Sequence, residues 1–506
     1  MKSLKIKDIS NKSYLKFLLL LIVIIFENNK EVRNPTNITE FLYYQNQTLQ
    51  LLVPKKECKY ISPMTIYFQS EFSDYNIKNN YEIKKINLKN KNFFVSYYLN
   101  DFNNYPQFLP LLKNNGLIRS SDIMGDNNLF FGSISLIPSD KNISKGSELN
   151  KYQKVGGYRR GRYFFLKNSL YKCYKHMKNL FHEDYNYMPE TYIYPEDREL
   201  IENKFKNYHL NLNDLWLIKP VNACKGYGIF IFHSLNKIKM KEYIITRYIS
   251  NINLINGRKY DLRLYVLISS LNPLRIYLYN EGLVRIAIEK FELGLNSVKN
   301  KYMHITNTGL NIKNEKFINP NNTNDENSNM WNLFMYKRFL RKNNIQWSDL
   351  LSKIKDIIIK SIISFNQQFI EENNQLNLKS INFYKIIGID ILIKKDFNPL
   401  LIEMNYYPEI YYHNNVDKQV KTKLFFDALN IIGIAPFSRN SHKPLNLNKK
   451  TNEKENIINM AYCELARPRG DFELIFPNKD NIKRYSKYFK NISFENKRLW
   501  QKLINK

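Results

Sequence analysis

Asp390 in IIGIDILI, and Glu403 with Asn405 in LLIEMN, put hard oxygen ligands on what read as two neighbouring strands. Side chains alternate along a strand, so Glu403 and Asn405 share one face. Two carboxylates and an amide oxygen held this way suit a magnesium ion bridging nucleotide phosphates. The plainer reading is a charged pair at a strand end facing water. Glu403, however, is flanked by Leu400, Leu401, Ile402 and Met404. Solvation is poor there, and metal ligation is the expectation.

Cations suited to phosphate stand upstream. In WLIKPVNACKGYGIFIF, Lys219 ends an apolar strand, and Lys225-Gly226-Tyr227-Gly228 offers a loop whose amides and ammonium can close over an anion. In GRKYDLRLYVLI, Lys259, Asp261 and Arg263 alternate along an apolar strand and face one side, toward water or a ligand. Arg285, and the run His304, Thr306, Asn307, add donors of the kind that hold carboxylates and phosphates. Each alone has a structural reading: a glycine tip is commonly an ordinary hairpin turn, a charged strand a solvated face, a lone histidine a packing residue. No Ser/His/Asp or Cys/His motif offers a protein nucleophile.

Holding such residues in place takes strands. Segments 215–219 and 228–233 flank the glycine tip as a hairpin, while 243–249, 261–269 and 274–279 are rich in β-branched and aromatic residues, the last two parted by Asn272-Pro273. Two more strands are expected at 384–394 and 399–404. A helix is expected at 167–181, and residues 349–370 repeat apolar positions at the spacing of a long core helix. Strands mixed with separated helices, without regular βαβ alternation, argue for an α+β enzyme and against a doubly wound fold. The polar tracts 312–329 and 438–456 read as loops, and the Lys- and Arg-rich stretch 481–506 as a basic helix.

With 506 residues, 43% of them hydrophobic, the chain can bury a sizeable core and is not a disordered protein. Its formal charge of +31 favours an anionic partner: nucleic acid, anionic lipid or an acidic protein tail. No nucleic-acid module is recognisable, and most Tyr and Phe fall in apolar runs that read as core. The cysteines Cys58, Cys173, Cys224 and Cys463 form no CxxC pair, so neither a zinc site nor a disulfide framework is expected and a reducing compartment is the simpler reading. Residues 17–26, FLLLLIVIIF, follow a basic start in the layout of a signal peptide or short anchor. The run is shorter than the roughly 20 residues that span a bilayer. A membrane-targeting element and a buried N-terminal segment stand as equal readings.

Taken in order, WLIKP, KGYGI, ITRYI, INGRKYDLRLYVLISSLNPLRIYLYNEGLVR, HITN, IIGIDILI and LLIEMNYYP resemble the catalytic core of the tubulin-tyrosine ligase-like family, and NPLRIYLYNEGLVR most resembles its polyglutamylase branch. The resemblance implies an ATP-grasp fold over residues 152–437. Around it stand a basic, hydrophobic segment at 1–28, a small α/β domain at 29–151, and a linker with a basic C-terminal extension at 438–506. It also implies ATP and Mg2+ as cofactors. Lys219, Lys225 and Gly226 match phosphate-side contacts, and Thr246, Arg247, Tyr248 and Ile249 the adenine-side hinge. Lys259, Tyr260 and Asp261 match further nucleotide contacts, and His304, Thr306 and Asn307 fall in the family's HLTN motif. Asp390, Glu403 and Asn405 match the magnesium ligands. Arg263 and Arg285 match the catalytic centre, Arg285 at a position that holds the incoming amino acid.

The chain departs from the family at Thr308-Gly309, where Tyr-Ser is usual, and at Asn329-Met330, where a Lys is expected. Those positions bear on the free amino acid, so the donor stays open. Gly156-Gly157 replace Asn-His, and Thr246 stands where Gln is common. The implied activity is ATP-dependent ligation of amino acids, L-glutamate foremost, to the acidic tails of tubulin in the cytoplasmic microtubule cytoskeleton, with no nucleic-acid partner. Alternatives are a glycine or tyrosine ligase, a catalytically inactive microtubule-binding module, and a membrane-associated scaffold resting on residues 17–26.

Overall fold

The structure is a computed structural model. It describes residues 48–505 except 56–57, 59–61, 71–80, 88–94, 100–105, 121–126, 132–148, 151, 159, 210, 212–213, 224–225, 233–240, 295–296, 321, 323, 376–378 and 437–452. Residues 17–26, Cys224 and Lys225 therefore lie outside the described residues.

Two small sheets come first. β1 (Thr48–Pro54) pairs antiparallel with β2 (Thr65–Ile66) and β3 (Tyr81–Asn87). β4 (Val95–Leu99), β5 (Leu117–Ser120), β6 (Leu129–Phe131) and β7 (Lys154–Val155) then run parallel in the order β5-β4-β6-β7. Helix α1 (Lys167–Phe181) buries Leu170, Tyr171, Tyr174 and Met177, the stripe of an amphipathic helix. β8 (Thr191–Tyr194), α2 (Arg198–Phe205), β9 (Trp216–Pro220), β10 (Phe230–Ile231) and β11 (Tyr243–Arg247) follow, the strands forming a sheet in the order β10-β9-β11-β8. Gly226 and Gly228 sit between β9 and β10 with φ of 77° and 69°, which glycine adopts without a Cβ clash.

β12 (Leu254–Ile255) leads into a long hairpin of β13 (Arg258–Leu271) and β14 (Leu274–Ile286). Its turn holds the cis Asn272-Pro273 bond. β15 (Met330–Asn332), α3 (Leu333–Lys342), α4 (Trp347–Gln375), β16 (Lys385–Ile393) and β17 (Pro399–Asn405) complete the central sheet, ordered β15-β14-β13-β16-β17. After α5 (Asn415–Ile432) and α6 (Glu453–Glu464), β18 (Phe472–Phe476) pairs with β14, and α7 (Ile482–Ser486) and α8 (Phe494–Ile504) close the chain.

The sheet is mixed with helices in the α+β manner and is covered on both faces. β16 is buried at every residue, which explains why KIIGIDILI is apolar apart from two charges. Its Ile387, Ile389 and Ile391 share a core with Ile354, Ile358 and Ile362 of α4. Ile386 shares the opposite core with Leu424 and Phe425 of α5. Burying each such side chain contributes about 1.5–3 kcal/mol, so the sheet is a stiff frame and its strand ends are where polar side chains can meet solvent.

Three expectations change here. Cys58 and Cys463 form a disulfide across a sequence separation of 405, with Cα atoms 5.7 Å apart. Spacing along the chain could not reveal a pair that only the fold brings together. The polar tract 438–456 does not run as a loop to its end, since α6 begins at Glu453. The stretch 481–506 is two helices rather than one: Ser493 caps α8 by accepting from the Asn496 amide, while Leu499 and Trp500 are buried. Among the described residues no helix is long and apolar enough to cross a membrane.

Candidate active site

Strand register assembles the charges. Asp261 of β13 stands opposite Arg285 of β14, Arg263 opposite Asp390 of β16, and Asp390 opposite Glu403 of β17. Asp261 and Arg263, two residues apart, share a face, so four strands present one row of side chains at the end of the sheet. Arg285 donates to Asp261 through Nε at 2.8 Å and Nη2 at 2.5 Å, and its Nη2 also lies 2.8 Å from Asp390 Oδ2. Arg263 grips Asp390 through Nε at 2.6 Å and Nη2 at 3.0 Å. Thr306 Oγ1 donates to Asp261 Oδ2 at 2.9 Å. Burial alone would raise the Asp390 carboxyl, but the charges and hydrogen bonds of Arg263 and Arg285 outweigh it and hold Asp390 well below the usual carboxylate range.

Across from this row, β9 and β11 supply the other wall of a cleft of about 160 Å³. Lys219, Thr246, Arg247, Tyr248, Ile249 and Gly226 line it on that side, and Lys259, His304, Thr306 and Asn307 on the other. Burial pulls the Lys219 and Lys259 ammoniums down to about 8. Lys259 Nζ sits 4.7 Å from the centre of the Tyr248 ring. Apolar side chains of Leu217, Ile244, Leu392 and Ile402 complete a slot in which a flat ring can lie.

His304 has both ring nitrogens occupied: Nδ1 lies 2.7 Å from the Tyr248 hydroxyl and Nε2 3.0 Å from the Ser297 carbonyl oxygen. Burial, with Lys259 nearby, lowers it to about 4, so it is neutral at physiological pH. Nε2–H must then donate to the carbonyl and Nδ1 accept from the hydroxyl, which makes His304 a residue that positions Tyr248.

Other expected residues are placed differently. Tyr260 turns away from the cleft, because strand alternation opposes it to Lys259 and Asp261; its hydroxyl meets Asn253 at 2.8 Å and Tyr336 at 2.9 Å within the core. The Arg247 side chain lies near Glu190 and Asp214 at 3.8 and 3.5 Å. Lys167 was missed by sequence reasoning. It reaches from the start of α1 to the Ala223 carbonyl at 2.7 Å and to within 3.6 Å of Glu403. In so lysine-rich a chain a single lysine carries no signal.

A second cavity, about 250 Å³, adjoins the cleft, and Arg263, Arg285, Asn307 and Asn405 line both. Thr308, Gly309 and Met330, at the departures noted in the sequence, stand on its wall.

No three His, Cys, Asp or Glu side chains gather as a metal cage among the described residues. Asp390, Glu403 and Asn405 offer two carboxylates and an amide instead, with Asn405 Nδ2 3.5 Å from Asp390 Oδ2. That incomplete oxygen set is of the hard-donor kind that would suit a magnesium ion.

The family model described as "Tubulin-tyrosine ligase family" matches residues 145–442, more than half of the chain. The chain belongs to the tubulin-tyrosine ligase family. Within it, the chain is 29% identical over 303 residues to tubulin polyglutamylase TTLL5 of Homo sapiens, an alignment covering 59% of this chain and 23% of the relative. It is 29% identical over 300 residues to tubulin monoglutamylase TTLL4 of Mus musculus, covering 58% and 24%. It is 28% identical over 375 residues to tubulin polyglutamylase ttll6 of Danio rerio, covering 69% and 47%. The aligned part thus spans about a quarter of the first two relatives. The family match contains the whole charged row and both cavities' shared wall.

Proposed function

We propose that the chain is an ATP-dependent carboxylate-amine ligase of ATP-grasp architecture that adds amino acids, L-glutamate foremost, to acidic side chains of tubulin tails. The observation that carries this reading is that a cleft with an apolar slot and lysines meets a second cavity along one wall of Arg263, Arg285, Asn307 and Asn405. Two anionic substrates can meet there without a protein nucleophile. The names of the relatives favour glutamate and tubulin.

In the reaction, a carboxylate oxygen of the acceptor attacks the γ-phosphorus of ATP, and ADP leaves. The amine of the free amino acid then attacks the acyl phosphate carbon; an amide forms, inorganic phosphate departs and the amine gives up a proton. Lys219 and Lys259 compensate phosphate charge from the cleft side. Asp390, Glu403 and Asn405 would hold magnesium, which when bound screens the phosphates against the incoming carboxylate. Arg263 and Arg285 use Nε and Nη2 on Asp261 and Asp390, leaving Nη1 of each for the substrate cavity. Lys225, at the glycine tip, is assigned to the phosphates from its place in the family motif.

A cytoplasmic microtubule setting belongs to the same proposal, as does the division into segments at 1–28, 29–151, 152–437 and 438–506. The charge of +31 suits a polyanionic tail. The test is to incubate the purified chain with microtubules, magnesium-ATP and each labelled amino acid in turn. ATP-dependent label on tubulin from glutamate is the expected result. Label from glycine or tyrosine alone would change the donor, and no label from any amino acid would overturn the ligase reading.

A further inference from the structure

The substrate cavity holds a cation that no other part of the site uses. Lys385, the first residue of β16, is 5% exposed and lines the cavity wall. Its Nζ donates to the Gly156 carbonyl oxygen at 3.2 Å and stands 4.4 Å from the ring centres of both Tyr406 and Tyr407. The other cations on this wall are paired with carboxylates. Arg263 and Arg285 bind Asp390 and Asp261, Lys421 Nζ lies 2.9 Å from Asp417, and His413 lies 3.4 Å from Glu409. Among the described residues Lys385 has no carboxylate partner.

We propose that Lys385 recognises a substrate carboxylate in this cavity. A lysine ammonium carries three donors, and the Gly156 carbonyl takes one. Two tyrosine faces attract the charge but accept no strong hydrogen bond from it, so an open cavity beside it is left to supply the counter-ion. Burial brings Lys385 down to about 7, the behaviour of an ammonium short of an anion.

Its place along the strand sets the reach. An ideal Cβ on Gly388 would lie 3.3 Å from Arg263 Cδ and 3.1 Å from Pro408, so Gly388 lies beside the arginine wall. Lys385 is three residues away, roughly 10 Å along an extended strand, and alternation starts its side chain on the opposite face; its Nζ comes to the cavity at the strand's first residue, beside the lining residues Gly156 and Tyr407. The carboxylate has two sources within the ligase reading on which this inference rests: the side chain of the free amino acid, or an acidic residue of the acceptor next to the one being activated. Exposed Tyr407, at 45%, stands beside Lys385 where an acceptor chain would enter.

Full-length Lys385→Met and Lys385→Arg would be compared with the parent chain in initial-rate assays. KM would be measured for glutamate, glycine, ATP and tubulin separately. Loss of the charge should raise one carboxylate-dependent KM by about tenfold or more, with kcat within about threefold, ATP unaffected and Lys385→Arg largely restored. A rise for glutamate but not glycine assigns the free amino acid, whereas a rise for tubulin alone assigns the acceptor. No rise for either, or an equal loss for glycine, glutamate and ATP, overturns the proposal and leaves Lys385 as a pin for the Gly156 loop. If the parent chain forms no amide at all, the ligase reading fails separately. Lys385 is then judged by titrating free glutamate and an oligo-glutamate peptide into parent and variant: binding weakened about tenfold by Lys385→Met sustains it, and equal or absent binding overturns it. Should Lys385→Met not fold, as read by its Tm, Lys385→Gln takes its place in the same assays.

Discussion

The β13–β14 hairpin carries a buried arginine-carboxylate cluster at each end. Near the turn, Arg275 donates to Glu464 through Nε at 2.8 Å and Nη2 at 2.9 Å, while Ser269 and Tyr277 hydroxyls donate to the same carboxylate at 2.5 and 3.0 Å. The void beside it is about 10 Å³, room for at most one water. At the open end, Arg285, Asp261, Arg263 and Asp390 form a similar network, yet it faces cavities of about 160 and 250 Å³. Arginine paired with a carboxylate on one hairpin thus makes a tie in one place, where the acid comes from helix α6, and a candidate site in the other, where it comes from neighbouring strands. A charge pair by itself does not mark function; accessible space beside it does.

Breaking the closed cluster should cost the most. Glu464→Gln leaves Arg275 buried without its counter-ion, and a loss of about 3–5 kcal/mol in chemical denaturation is expected, with nucleotide affinity of the remaining folded protein unchanged. A loss of affinity with unchanged stability would erase the distinction between the two ends.

At the open end the effect moves from stability to chemistry. Glu403 is half-buried, with Lys167 3.6 Å away. Glu403→Gln should lower kcat by roughly 10²–10³-fold while Tm shifts by no more than about 2 °C. Turnover retained at the parent rate would remove Glu403 from the metal set.

Arg285→Lys probes what the open cluster asks of its arginine. A lysine keeps the charge but cannot fork across Asp261 and Asp390, so a fall of about 10–100-fold in kcat/KM is expected, shared between nucleotide and amino-acid dependence. A defect confined to the amino acid would show that the guanidinium serves the donor alone.

The smallest effect is a pH slope. Lys259 stands at about 8 because burial disfavours its charge. A bound polyphosphate favours the charged form and raises that value, so binding takes up a proton and affinity falls as pH rises through 8. Each such lysine should make nucleotide affinity roughly threefold to tenfold weaker at pH 9 than at pH 7.5, and Lys259→Gln should remove its share of the slope, leaving that of Lys219, which burial also brings to about 8. Calorimetry in buffers of different ionisation enthalpy counts the proton directly.

Most of the central sheet was legible in the sequence. The helix expected at 349–370 lies within α4, and the strands expected at 261–269 and 274–279 lie within β13 and β14. Alternation also placed Asp261 and Arg263 on one face, since period two follows from backbone geometry. The same rule, applied to Tyr260, would have kept it out of the site: between two cleft residues on a strand, a residue must point to the core.

What the chain alone determined was therefore local: periods, strand faces, the glycine tip, the order of motifs and the charge of +31. These depend on neighbours a few residues apart. The fold decided everything that joins distant residues. It paired Cys58 with Cys463, brought Lys167 to Glu403, split the basic C-terminal stretch in two and tied Arg285 to both Asp261 and Asp390. Among the described residues it also left Lys385 beside a cavity without a carboxylate partner. Such facts depend on which voids remain after the core has packed, and packing is a property of the whole chain that no spacing of residue types encodes.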